Sequence, residues 1–140
     1  MRTVFADTFY WIALANPRDE WHQATSDAAQ NLASAQIITT DEVLAEFLTY
    51  YCGFGSVMRG IAAQLVRRIV ANPTVTVLPQ SRESFLSGLE LYEARPDKQF
   101  SLTDCIAMHA MRTGNLREVL TNDHHFEQEG FVILLTDKSK

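Results

Sequence analysis

Short apolar runs alternate along this chain with longer amphipathic segments, and that alternation constrains its fold more than any other feature. Thr3 to Ala6, Gln36 to Thr39, Thr74 to Leu78, Glu118 to Thr121 and Phe131 to Leu135 have strand length and strand character. The stretches between them carry helical periodicity. The first runs through Trp11-Ile12-Ala13-Leu14 and stops at Asn16-Pro17, and the second covers Glu20 to Ala35. Asp41 to Tyr51 follows, punctuated by Gly53 and Gly55. Ser56 then opens a helix with Val57, Ile61, Leu65 and Ile69 on one face, ended by Asn72-Pro73. Ser81 or Ser84 starts another, with Phe85, Leu89 and Tyr92 on one side, ending before Pro96. The last long helix is Leu102 to Arg112, followed by Gly114-Asn115. Strands separated by helices predict βαβ units and a parallel sheet covered on both faces. Right-handed crossovers bring the carboxyl ends of such strands to one edge, where ligands bind near a switch in strand order.

At 140 residues the chain suits one domain, spanning 1–140. Its 46% hydrophobic and 21% charged residues fit a folded protein. No apolar run approaches the ~20 residues of a membrane span, and Asp7 comes too early for a signal peptide. Cys52 and Cys105 lie outside any CxxC pair, which predicts two reduced, partly buried thiols and a cytoplasmic setting. A net charge of −5 argues against a broad basic face for nucleic acid. A nuclease remains compatible, because carboxylates that hold metal lower the net charge themselves.

The edge rule singles out a set of acids. Asp7 directly follows the first strand, Asp123 lies just past Glu118 to Thr121, and Asp104 sits in the first turn of its helix. Each of these alone also suits a helix cap, and Ser101-x-x-Asp104 loosely fits a capping box. Glu46 stands about one and a half turns into the helix after the second strand. On the helical wheel it lies nearer the apolar arc of Val43, Leu44, Phe47, Leu48 and Tyr51 than Glu42 does, so Glu46 is expected to be the half-buried acid and Glu42 the neighbour to exclude. Carboxylates gathered in one place repel one another unless a cation compensates, and all-oxygen donors favour Mg²⁺ or Mn²⁺.

These pieces, taken together and in order, resemble the PIN-domain ribonucleases, particularly the toxins of bacterial toxin–antitoxin pairs. The matching segments are Val4-Phe5-Ala6-Asp7-Thr8, Thr39-Thr40-Asp41-Glu42-Val43-Leu44-Ala45-Glu46, Ser101-Leu102-Thr103-Asp104-Cys105 and Val119-Leu120-Thr121-Asn122-Asp123-His124-His125-Phe126. The resemblance implies a PIN-like three-layer α/β/α sandwich around a central parallel sheet, and Mg²⁺- or Mn²⁺-dependent hydrolysis of RNA phosphodiesters. It implies that Asp7, Glu46, Asp104 and Asp123 form the acidic catalytic and metal-binding quartet. Thr8 matches a hydroxyl residue beside the first acid, and Thr103 and Thr121 could orient ligands in the same way or serve only as caps and strand ends. Partners implied are RNA, an antitoxin protein and a second copy of the chain in a homodimer. Ala45 departs from the pattern, since many relatives carry another acid there.

Other residues read more plainly. His124-His125 is expected at the surface or beside the ligands, as a contact for RNA phosphate. His22 and His109 have no partner signature, and Trp11 and Trp21 are expected to pack. Arg59, Arg67, Arg68 and Arg112 form either a modest basic rim or solvated helix faces. A phosphotransfer receiver would need an adjacent acid pair after the first strand, and a haloacid-dehalogenase-type phosphatase an Asp at position 9, which is Phe. The remaining alternatives are a non-catalytic PIN-like module that binds RNA or protein, and a stand-alone nuclease without antitoxin.

Overall fold

A computed structural model of the chain describes residues 1–137. The elements in order are β1 (Thr3–Ala6), α1 (Thr8–Ala15), α2 (His22–Asn31), β2 (Gln36–Thr40), α3 (Asp41–Tyr51) and α4 (Ser56–Ala71). They continue with β3 (Val75–Leu78), α5 (Arg82–Ala94), α6 (Leu102–Thr113), β4 (Glu118–Leu120), α7 (His125–Gln128) and β5 (Val132–Ile133). All strand pairs are parallel, in the order β3-β2-β1-β4-β5, and helices flank the sheet. The α/β/α architecture expected from the alternation is therefore the observed one.

Strand order reverses at β1. The chain builds outward through β2 and β3, then crosses back to lay β4 on the other side of β1. Phe5 stands opposite Val119 and Ala6 opposite Leu120, so the residues that follow, Asp7 and Thr121, emerge side by side. The central strands are apolar on both faces: Val4, Phe5, Ala6, Val119 and Leu120 are all fully buried. The core adds Phe47, Met108, Met111 and Phe126 from the helices. Fully burying one such side chain is worth roughly 1.5–3 kcal/mol, so the edge carrying the acids rests on a stiff base.

Helix starts are fixed by side chains. The Thr40 hydroxyl accepts from the Val43 N–H at 3.1 Å, and Asp41 and Glu42 occupy the first turn of α3. Ser81 and Ser84 form a reciprocal capping box at α5. The α5–α6 contact is close because of Gly88: a Cβ there would lie 2.5 Å from Ile106 Cγ1 and 3.2 Å from the Ile106 backbone nitrogen. At the far end of α6, Glu129 joins Arg95 Nε at 2.7 Å and Arg112 Nη2 at 2.7 Å, tying α5, α6 and the end of α7 together.

Several expectations shift. The second helix is shorter than Glu20 to Ala35, because Asp19 Oδ1 takes the Trp21 N–H in a turn before it and residues 32–34 turn after it. The last strand shrinks to Val132–Ile133, although Leu134 and Leu135 still donate to Val119 and Thr121 carbonyls. On α4 the expected apolar face is covered only at Leu65 and Ile69; Ala62 is buried, while Val57 and Ile61 are exposed. On α5 the buried point is Gly88, and Phe85 and Tyr92 face solvent. The thiols are not alike: Cys52 is exposed and Cys105 is buried, with burial pushing its thiol up to about 11.

Candidate active site

Asp7 occupies the N-cap position of α1, yet its side chain makes no capping bond. Its Oδ2 instead accepts the Thr121 hydroxyl at 3.0 Å, and the same hydroxyl accepts the Asp123 N–H at 3.1 Å. Thr121 is fully buried, so one oxygen links the ends of β1 and the loop after β4. Asp104 does cap. Its Oδ2 accepts the Ser101 N–H at 3.1 Å while the Ser101 hydroxyl accepts the Asp104 N–H at 3.0 Å, a full capping box that sets the carboxylate at the start of α6.

The three aspartates sense one another. Burial pushes Asp7 up to about 7, and the charges of Asp104 and Asp123 push in the same direction against the Thr8 N–H and the Thr121 hydroxyl. Burial also raises Asp104, with Asp123 adding to it, while the Ser101 bonds and His125 oppose. Among the described residues, no Lys or Arg pairs with any of these three acids. Carboxylates that are mutually repelling, two of them buried and none paired with Lys or Arg, form a site that a divalent cation would stabilise.

His125 belongs to the same place. Its Nδ1 lies 3.1 Å from Asp123 Oδ1 and 3.5 Å from Asp104 Oδ2, and its backbone N–H donates to Asp123 Oδ1 at 2.9 Å. One donor atom each from Asp104, Asp123 and His125 falls within 4.8 Å of the others. Two carboxylates and an imidazole are donors that would fit a divalent cation. The sequence expectation of a His124-His125 pair at the surface or beside the ligands is met in its second form by His125, which lies against Asp104 and Asp123. The Asp123-x-His125 spacing was the available signal, since a turn of that length folds the imidazole back over the carboxylate. His124 is exposed, and its partner is Glu127.

The other expected residues fall as follows. Glu46 is exposed on α3 and Glu42 half-buried, the reverse of the helical-wheel reading, because the buried arc is Val43, Leu44, Phe47 and Tyr51 and Glu46 projects away from it. Thr8 is buried, and its hydroxyl makes no hydrogen bond; Thr103 is half-buried. Trp11 is buried, with its indole N–H toward the Thr39 hydroxyl at 3.4 Å, and Trp21 meets Phe9 edge-on. His22 Nδ1 sits 2.8 Å from the Ala13 carbonyl. The arginines form no common rim: Arg59 donates to the Cys52 carbonyl, Arg112 serves Glu129, and Arg67 and Arg68 are exposed on α4.

A five-stranded parallel sheet between helices, with acids at the β1/β4 switch point, defines the PIN-like α/β/α class. The fold is similar to that of VapC20 of Mycobacterium tuberculosis, a toxin that cleaves the sarcin–ricin loop. The TM-score is 0.77 at 23% identity, covering 92% of this chain and 96% of that one. By sequence the chain matches no protein-family model and no curated protein. No helix among the described residues is long and apolar enough to cross a membrane.

Proposed function

We propose that this protein is a divalent-metal-dependent ribonuclease of the toxin type, acting at the cluster of Asp7, Asp104 and Asp123. The observation that carries the proposal is the convergence of three carboxylates with no Lys or Arg partner among the described residues, two of them buried, at the switch point of a PIN-like sheet. A bound Mg²⁺ or Mn²⁺ would supply an acidified water and offset charge on the leaving 3′ oxygen of an RNA phosphodiester. Asp104 and Asp123 are held as ligands by the Ser101 and His125 backbone N–H groups. Asp7 is oriented by the Thr121 hydroxyl, and its carboxylate form would be favoured by a cation held beside it. Glu46 is carried as the fourth acid by the sequence resemblance, with Thr8 and Thr103 beside the ligands.

The likeness to a sarcin–ricin-loop-cleaving toxin suggests structured RNA as substrate. An antitoxin partner and a homodimer, implied by the sequence resemblance, and a cytoplasmic setting, expected from the cysteines, complete the proposal. Exposed Tyr50, Phe54, Val57 and Ile61 along α3 and α4 favour such partners, because an uncovered apolar patch commonly marks an interface.

The test is cleavage of a sarcin–ricin-loop oligonucleotide and of total RNA in Mg²⁺ and Mn²⁺. Wild type should cut in either metal and stop on chelation. Asp7→Asn and Asp104→Asn should lose cleavage while keeping their circular dichroism. Undiminished cutting by Asp7→Asn would overturn the assignment.

A further inference from the structure

We propose that His125 is itself a metal ligand through Nδ1, so that the site holds a nitrogen donor among carboxylates and prefers Mn²⁺ to Mg²⁺. The inference rests on the metal-dependent reading above and adds to it a residue outside the expected acidic quartet. Octahedral ions of this size hold their donors at about 2.0–2.1 Å, which places neighbouring donors roughly 3 Å apart. The Nδ1 atom lies 3.1 Å from Asp123 Oδ1 and 3.5 Å from Asp104 Oδ2, near that spacing on both edges.

The same atom is buried and makes no hydrogen bond, although a carboxylate oxygen is at hydrogen-bond distance. The geometry is therefore poor for an N–H donating to Asp123, and with Nδ1 unprotonated its lone pair would lie beside two carboxylate oxygens, an arrangement that a cation would stabilise. Both neighbouring oxygens already accept backbone N–H groups, Asp104 Oδ2 from Ser101 and Asp123 Oδ1 from His125, which fixes their orientation independently of the ring. The ring is held in turn by Phe100, edge-on at 5.5 Å between centroids. Imidazole suits the borderline transition ions, whereas Mg²⁺ favours oxygen and keeps several waters.

The experiment is electron spin-echo spectroscopy of Mn²⁺ bound to the untagged protein, with Mn²⁺ and Mg²⁺ titrations of wild type, His125→Ala and His125→Asp in the absence of RNA. Wild type should show ¹⁴N modulation from an imidazole, and His125→Ala should lose it. The same substitution should weaken Mn²⁺ binding about tenfold or more and weaken Mg²⁺ binding less. His125→Asp should recover binding with the preference moved toward Mg²⁺. Mn²⁺ binding without ¹⁴N modulation, or equal Mn²⁺ affinity in His125→Ala, would overturn the role of His125 and leave the metal-dependent reading standing. Absence of any divalent binding by wild type would overturn both.

Discussion

The Thr121 hydroxyl donates to Asp7 Oδ2 and accepts the Asp123 N–H, so a residue 114 positions away aims the first acid of the site. A threonine hydroxyl has one proton and two lone pairs, and here both functions are used inside the core.

Thr121→Val keeps the volume and removes both bonds. It should lower stability by about 1–3 kcal/mol, because a buried carboxyl and a backbone N–H lose their partner. Mn²⁺ affinity should fall by roughly 10–100-fold, as for other residues that orient metal ligands. Thr121→Ser should behave nearly as wild type. Thermal denaturation and metal titration read both effects.

The pH dependence of the metal-free protein follows from Asp7. Its folded carboxyl is raised from 3.8 to about 7, so between these values the folded state binds more protons than the unfolded chain. Stability from this group is therefore highest near pH 4 and declines as pH rises to about 7, by on the order of 4 kcal/mol across the window. Asp7→Asn should remove most of this decline and make the metal-free protein more stable than wild type at pH 8. Urea denaturation of both proteins from pH 4.5 to 8 isolates the effect, and saturating Mn²⁺ should reduce it for wild type.

Glu129 behaves in the opposite sense. Its hydrogen bonds from Arg95, then from Arg112, hold the carboxyl below its usual value. Its contribution is present above the unfolded value of 4.5 and is lost as pH falls through the lower, folded one. Glu129→Gln should cost at least about 1 kcal/mol at pH 7 and show a smaller penalty at pH 3.

Gly88→Ala places a methyl against Ile106, whose Cγ1 and backbone both stand in the way. Overpacking of this kind costs about 1–3 kcal/mol. Because Ile106 is two residues past Asp104 on α6, Mn²⁺ affinity should fall together with melting temperature. A loss of stability with unchanged affinity would show that α6 absorbs the strain away from its N-terminus.

Much of this was legible in the chain. The apolar runs ending at Ala6 and Leu120 announced parallel strands, and the acids just beyond them marked the edge. Ser101-x-x-Asp104 announced its own helix start. What periodicity could not supply was coverage: the spacing of Val57, Ile61, Leu65 and Ile69 describes a face, and only packing decides that half of it stays exposed. Glu46 was misjudged for a related reason, since residues at the margin of an apolar arc are buried or exposed by their neighbours on other elements. His125 was left between the surface and the ligands because it opens the one-turn helix α7 straight after a loop, where no periodicity says which way a side chain faces.

The pairing of β1 with β4 also sets when the site can exist. Asp7 leaves the ribosome early in synthesis, but neither Thr121 nor Asp123 is available until β4 has emerged and found its place beside β1. A nascent chain therefore carries no assembled acidic site until β4 has been made and paired, so whatever the site does begins only after most of the chain has folded.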